Sequence, residues 1–154
     1  MPDQSKTLRD RLQSDMKAAM KAREKTRLGV IRMILAAVKQ REVDERITLD
    51  DTQIIVVLDK MLKQRRDSEQ QYREAGRDDL ADTEASEIRI VQGYLPQPLT
   101  DGEISAYIKG AISESGASGV NDMGKIMGIL KPKMQGRADM GIVSKQVKSE
   151  LGNL

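Results

Sequence analysis

Six cations near the end of the chain, Lys125, Lys131, Lys133, Arg137, Lys145 and Lys148, fall within 24 positions, opposed only by Asp139. Ammonium and guanidinium groups form charge-assisted hydrogen bonds with phosphate oxygens, so this cluster could hold several phosphates. Its bland alternative is a solvated rim. Among these cations lie Gly124 and Gly128, four residues apart, with Pro132 four further on. In a continuous helix the three share one face. A glycine inside a helix costs about 0.8–1 kcal/mol relative to alanine. Two readings account for it: tight packing against the helix that begins near Thr100, or a smooth close-approach surface for a partner such as a nucleic-acid backbone.

Catalytic chemistry has few candidates. The 154 residues contain no histidine and no cysteine, which removes the commonest general base near neutral pH, thiolate nucleophiles and the commonest zinc ligands. Gly119 to Lys125 matches the spacing of a phosphate loop, but Ile126 stands where a magnesium-binding Ser or Thr is needed, and no strand precedes it. The match is accidental. The carboxylate pairs Asp50/Asp51 and Asp78/Asp79 sit where helices should begin, and negative charge is favoured there by the macrodipole. Capping is their expected role. Tyr72, Tyr94 and Tyr107, the only aromatic residues, are expected to pack rather than stack on bases. No catalytic residue, metal ligand or cofactor is therefore assigned.

The elements that position these residues read as helices throughout. Phe and Trp are absent, and Leu, Ile, Val, Met and Ala carry the core among many Lys, Arg, Glu and Gln, a composition of good helix formers. Apolar periodicity predicts helices from about Ser5 to Ala22 and from about Thr26 to Glu42, followed by a polar break at 43–49. A long third helix is capped by Thr48, Asp50 or Asp51 and closed by Gly76; a fourth opens at Asp78 or Asp79 and carries Ile88, Val91 and Leu95 near its end. No helix can run through Tyr94-Leu-Pro-Gln-Pro-Leu-Thr100, where two prolines remove backbone donors. Thr100 and Glu103 then form a capping box. Two further helices open at Asn121 or Asp122 and at Asp139. The expected architecture is all-α, with a four-helix N-terminal subdomain over residues 1–95 and a small three-helix subdomain over 96–154.

Net charge is only +2 but unevenly placed. From Ser5 to Arg41 eleven basic residues face three acidic ones, an excess of eight; from Asp67 to Glu87 eight acids face Arg73 and Arg77. Either basic and acidic helices pack side by side and neutralise each other in part, or a positive face attracts a polyanion. The apolar runs are far shorter than the roughly 20 residues of a membrane span. Met1 to Gln4 has no apolar signal region. A cytoplasmic setting with no membrane partner is expected.

Three segments carry a family resemblance: Asp122-Met-Gly-Lys-Ile-Met-Gly-Ile-Leu-Lys131, Gly136-Arg-Ala-Asp139 and Val143-Ser-Lys-Gln-Val-Lys148. Together they resemble the signature of the GatB/YqeY family. Arg27-Leu-Gly-Val-Ile-Arg32, Lys63-Gln-Arg-Arg-Asp-Ser68, Ala75-Gly-Arg-Asp-Asp79 and Tyr94-Leu-Pro96 resemble the YqeY-like proteins in particular. The resemblance implies that the last three helices are similar to the tail domain of the B subunit of glutamine-dependent tRNA amidotransferases, which touches tRNA. It implies tRNA or a tRNA-processing enzyme as partner. The resemblance also brings a family-level label of carbon–nitrogen ligase with glutamine as amide donor, which belongs to the larger relative, whose large catalytic domain has no counterpart here. A noncatalytic tRNA-associated module is the leading expectation; the alternative is a protein–protein adaptor, or an accessory to carbon–nitrogen ligase activity with glutamine as amide donor.

Overall fold

The computed structural model describes residues 7–154. Among them are seven α-helices, one short 3-10 turn and no strand. The fold is all-α, as composition and periodicity predict. None of the helices is long and apolar enough to cross a membrane. The chain divides into two compact units, one ending at Leu95 and one beginning at Pro96.

The first unit holds α1 (Leu8–Ala22), α2 (Lys25–Glu45), α3 (Asp51–Glu74) and α4 (Asp78–Gln92). Thr7 caps α1 by accepting from the Asp10 amide; the expected start at Ser5 lies outside the described residues. α2 continues three residues beyond Glu42 and closes on Arg46 in the left-handed conformation, because Arg41 and Glu45 pair one turn apart and prolong it. Asp50 caps α3 in a capping box with Gln53. Asp51 has a different task, since its carboxylate accepts from the Leu8 amide at 3.1 Å and so satisfies the start of α1. Gly76 takes a left-handed φ of +72° just after Ala75 ends α3. α4 stops at Gln92, three residues short of Leu95.

Asp78 and Asp79 do not cap α4. Arg77 occupies the cap position without capping the helix through its side chain, and both oxygens of Asp79 accept from the Arg77 guanidinium at 3.1 Å. That bond holds the Asp79 carboxyl below its ordinary pKa. Their place in the first turn still suits the macrodipole. The core of this unit gathers Leu12, Ile31, Ile34, Ile54, Leu58 and Val91 among others, with apolar residues at helical spacing turned inward.

The second unit holds α5 (Asp101–Ser115), the 3-10 turn Val120–Asp122, α6 (Met123–Met134) and α7 (Met140–Gly152). Thr100 and Glu103 form the expected capping box, and its backbone bond lowers the Glu103 pKa. Asp139 caps α7, accepting from the Gly141 and Ile142 amides. Asp122 begins α6 without capping it; its carboxylate turns back to accept from the Ser118 amide at 2.9 Å. That hydrogen bond holds Asp122 below its ordinary pKa. Ile108, Ile126, Leu130, Met134, Val143, Val147 and Leu151 form a separate core.

Candidate nucleic-acid interface

α6 buries Ile126, Leu130 and Met134, which turns the opposite side of the helix to solvent. Gly124, Gly128 and Lys131 are all exposed. At 3.6 residues per turn they fall within an arc of about 60°, with Lys125 about 100° from Gly124. A Cβ built on Gly124 or Gly128 would meet no atom within 4 Å. Packing against α5 therefore does not account for either glycine, and that reading of the sequence is set aside. The helix also carries Pro132 in its last turn, where the Gln135 amide still bonds to the Lys131 carbonyl at 2.9 Å.

The six cations are not equivalent. Lys125 donates from Nζ to the Ser115 carbonyl at 3.1 Å and so satisfies the C-terminal end of α5. Arg137 is half-buried; its Nε donates to the Gln97 carbonyl at 3.0 Å, and its own carbonyl accepts from the Leu99 amide at 2.8 Å. These contacts pin the double-proline segment beside the start of α5. Lys131, Lys133, Lys145 and Lys148 are exposed, and among the described residues none of them forms an ion pair.

Only Gly124, Gly128 and Lys131 come together on one α6 face. Lys133 lies about half a turn away from it. With Glu103, Ala106, Tyr107, Gly110 and Glu114 it lines a groove of about 370 Å³ beside α5. Lys145 and Lys148 occupy the exposed side of α7, opposite buried Val143 and Val147. The phosphate-loop spacing leads nowhere: Gly119 precedes a 3-10 turn rather than following a strand.

Sequence reading passed over a second polar site, within the first unit. Arg11, Asp15, Arg27, Arg89 and Tyr94 line a pocket of about 270 Å³. The Tyr94 hydroxyl donates to Asp15 Oδ2 at 2.5 Å, the Arg11 guanidinium lies 5.3 Å from the centre of the Tyr94 ring, and Arg27 approaches Asp15 at 3.7 Å. Burial, reinforced by the Asp15 carboxylate, pushes the Tyr94 phenol well above its ordinary pKa. Tyr94 does pack in the core, as expected, but its hydroxyl and ring also serve this polar cluster. Residues some 80 positions apart meet here, and no local pattern signals that.

Comparison with known proteins bears on identity. A curated protein of Pyrenophora tritici-repentis named "Altered inheritance of mitochondria protein 41, mitochondrial" is 31% identical over 92% of this chain and 80% of its own length. Proteins of the same name from Lachancea thermotolerans and Clavispora lusitaniae are each 34% identical, over 67% and 71% of this chain. Those two matches span 57% and 65% of the relatives' lengths, less than two thirds. The names correct the expected cytoplasmic setting, because every one of the three relatives is called mitochondrial. Lack of cysteine and of long apolar runs suits any aqueous, reducing compartment and could not discriminate among them. The family described as Yqey-like protein matches residues 9–151, nearly the whole chain, and the chain belongs to the YqeY-like protein family.

Proposed function

We propose that the 96–154 unit is a noncatalytic docking surface for a folded RNA, tRNA above all, with bond-making left to a partner enzyme. The observation that carries this reading is the bare face of α6. Gly124 in the first turn of α6 and Gly128 in its interior stand where no neighbour needs their missing side chains, and the interior one costs about 0.8–1 kcal/mol in helix propensity. What they provide is backbone open to close approach, with Lys131 on the same face. Lys133, Lys145 and Lys148 add exposed positive charge that no ion pair among the described residues compensates. The choice of tRNA comes from the resemblance of the last three helices to the amidotransferase tail domain. In this reading the four-helix part through residue 95 and the three-helix part from residue 96 act as separate subdomains, each supported by its own core.

The test is a titration of the full chain with bulk tRNA at two salt concentrations. Phosphate contacts make affinity fall steeply as salt rises. Replacing Lys131, Lys133, Lys145 and Lys148 with Gln should abolish binding while leaving helicity intact, since none of the four holds the fold. Absence of binding at low salt, or affinity indifferent to salt, would overturn the reading.

A second reading, a protein adaptor, draws on the groove whose walls include Ala106, Tyr107, Gly110 and Ala111. A stoichiometric protein partner retained after nuclease and high salt would favour it, and Ala106→Glu should then release that partner while tRNA binding is unchanged.

A further inference from the structure

The pocket between α1, the start of α2 and the end of α4 is lined by three arginines, Arg11, Arg27 and Arg89, and by one acidic residue, Asp15. The groups are not evenly matched. Arg27 has Asp15 at 3.7 Å and Glu24 at 4.0 Å. Among the described residues Arg11 has only the Tyr94 ring and, at 3.4 Å, the Gly93 carbonyl. Arg89 forms no ion pair among the described residues and is exposed at the pocket. Asp15 in turn is shared between Arg27 and the Tyr94 hydroxyl. The pocket thus holds two uncompensated positive charges in a concavity walled on one side by a buried tyrosine. Charges of one sign lining a cleft focus the local potential and attract the opposite charge.

We propose that this pocket binds a phosphate monoester dianion. A phosphate monoester carries about −1.5 to −2 charges near neutral pH, which matches the excess of three guanidiniums over one carboxylate. Guanidinium forks suit its oxygens in bidentate geometry, as a single ammonium would not. At about 270 Å³ the pocket lies just below the range of about 300–1,000 Å³ typical of small-molecule sites, room for a phosphoryl group and part of the group that carries it. Arg11, fixed on the Tyr94 ring and the Gly93 carbonyl, is the pre-positioned donor. Arg89 is the free arm that closes on the anion. The proposal concerns the first unit alone and stands whether or not the 96–154 unit binds RNA. The phosphoryl group could belong to a free small phosphate ester or to the 5′ end of an RNA.

The experiment is a titration of the isotopically labelled full chain, following the arginine Nε–H resonances by NMR. Inorganic phosphate should shift the Arg11, Arg27 and Arg89 resonances saturably at concentrations up to roughly 10 mM, an affinity within reach of a few charge-assisted bonds. Acetate at the same concentration should not. Arg89→Gln should weaken phosphate binding about tenfold or more with Tm unchanged. Asp15→Asn keeps an acceptor for the Tyr94 hydroxyl but removes the competing charge, so it should tighten binding several-fold. A short RNA with a 5′-phosphate identifies the source: if it binds more tightly than both its 5′-hydroxyl counterpart and inorganic phosphate, and loses that advantage in Arg89→Gln, the group is an RNA end. Equal affinity for inorganic phosphate and phosphorylated RNA marks a free ester. Failure to saturate, or shifts that Arg89→Gln leaves intact, would overturn the assignment.

Discussion

The Glu42 carboxylate accepts from the Leu49 amide at 2.8 Å and from Arg9 at 2.5 Å, so one side chain fastens the turn after α2 and ties that helix to α1. The Leu49 hydrogen bond, more than the Arg9 charge, holds its pKa below the ordinary value. A carboxylate depressed in the folded state contributes stability above its unfolded pKa, about 4.3 for glutamate, and loses that contribution as pH falls through the folded value. Glu42→Gln should therefore lower Tm modestly at pH 7. Its deficit relative to the parent should shrink as pH drops below the carboxylate range, which thermal melts at pH 7, 5 and 3 will show. A deficit constant across that range would mean that packing of the side chain, not its charge, matters at this site.

Arg65 links two helices in the same way but from a buried position. Its guanidinium, only 9% exposed, reaches Glu84 at 3.4 Å and also Glu87, from α3 to α4. Removing it strands two carboxylates against each other, and breaking a buried pair in this manner costs about 3–5 kcal/mol. Arg65→Met should lower stability by that order in denaturant unfolding. The glycines of α6 point the opposite way. Because nothing lies where their Cβ atoms would go, Gly128→Ala in the helix interior should raise stability by about 0.8–1 kcal/mol and Gly124→Ala in the first turn by less, while each weakens any partner that needs bare backbone. Destabilisation by either would restore the packing reading that the structure sets aside.

Helix ends are legible in the sequence where the signal is local. Thr100 with Glu103, and Asp139 before α7, need only residues three apart or fewer. The ends of α2 and α4 are not, because exposed Val43 and half-buried Leu95 carry no stripe that separates helix from turn. Nor are the tasks of Asp51 and Asp122, whose partners are chosen by tertiary geometry or by a backward turn. The candidate interface is legible as residue types and spacing. Its exposure is not, since a glycine stripe reads the same whether it faces a neighbour or water.

At the scale of the whole molecule, the uneven charge resolves differently from either simple picture. α2 and α4 pack against each other, yet among the described residues no ion pair joins the basic run before Arg41 to the acidic run after Asp67. Arg9, Arg27 and Arg41 pair with Glu42, Asp15, Glu24 and Glu45, while the later acids take Arg65, Arg73 and Arg77. Lys17, Lys21, Lys25, Arg32 and Lys39 are left exposed, and the second unit adds six exposed lysines of its own, Lys109, Lys125, Lys131, Lys133, Lys145 and Lys148. Screening then becomes a measurement of which of these charges meet phosphate. Each phosphate neutralised contributes about −0.7 to −0.9 to the slope of log affinity against log salt. If Lys131, Lys133, Lys145 and Lys148 are the contact set, changing Lys131 alone to Gln should flatten that slope by about 0.7–0.9 and leave RNA sequence preference untouched, because a phosphate contact carries no base information. Changing Lys17 and Lys21 in α1 should leave the slope as it was. A slope that responds to the α1 lysines and not to Lys131 would move the RNA contact to the first unit and leave the bare face of α6 without a role in it.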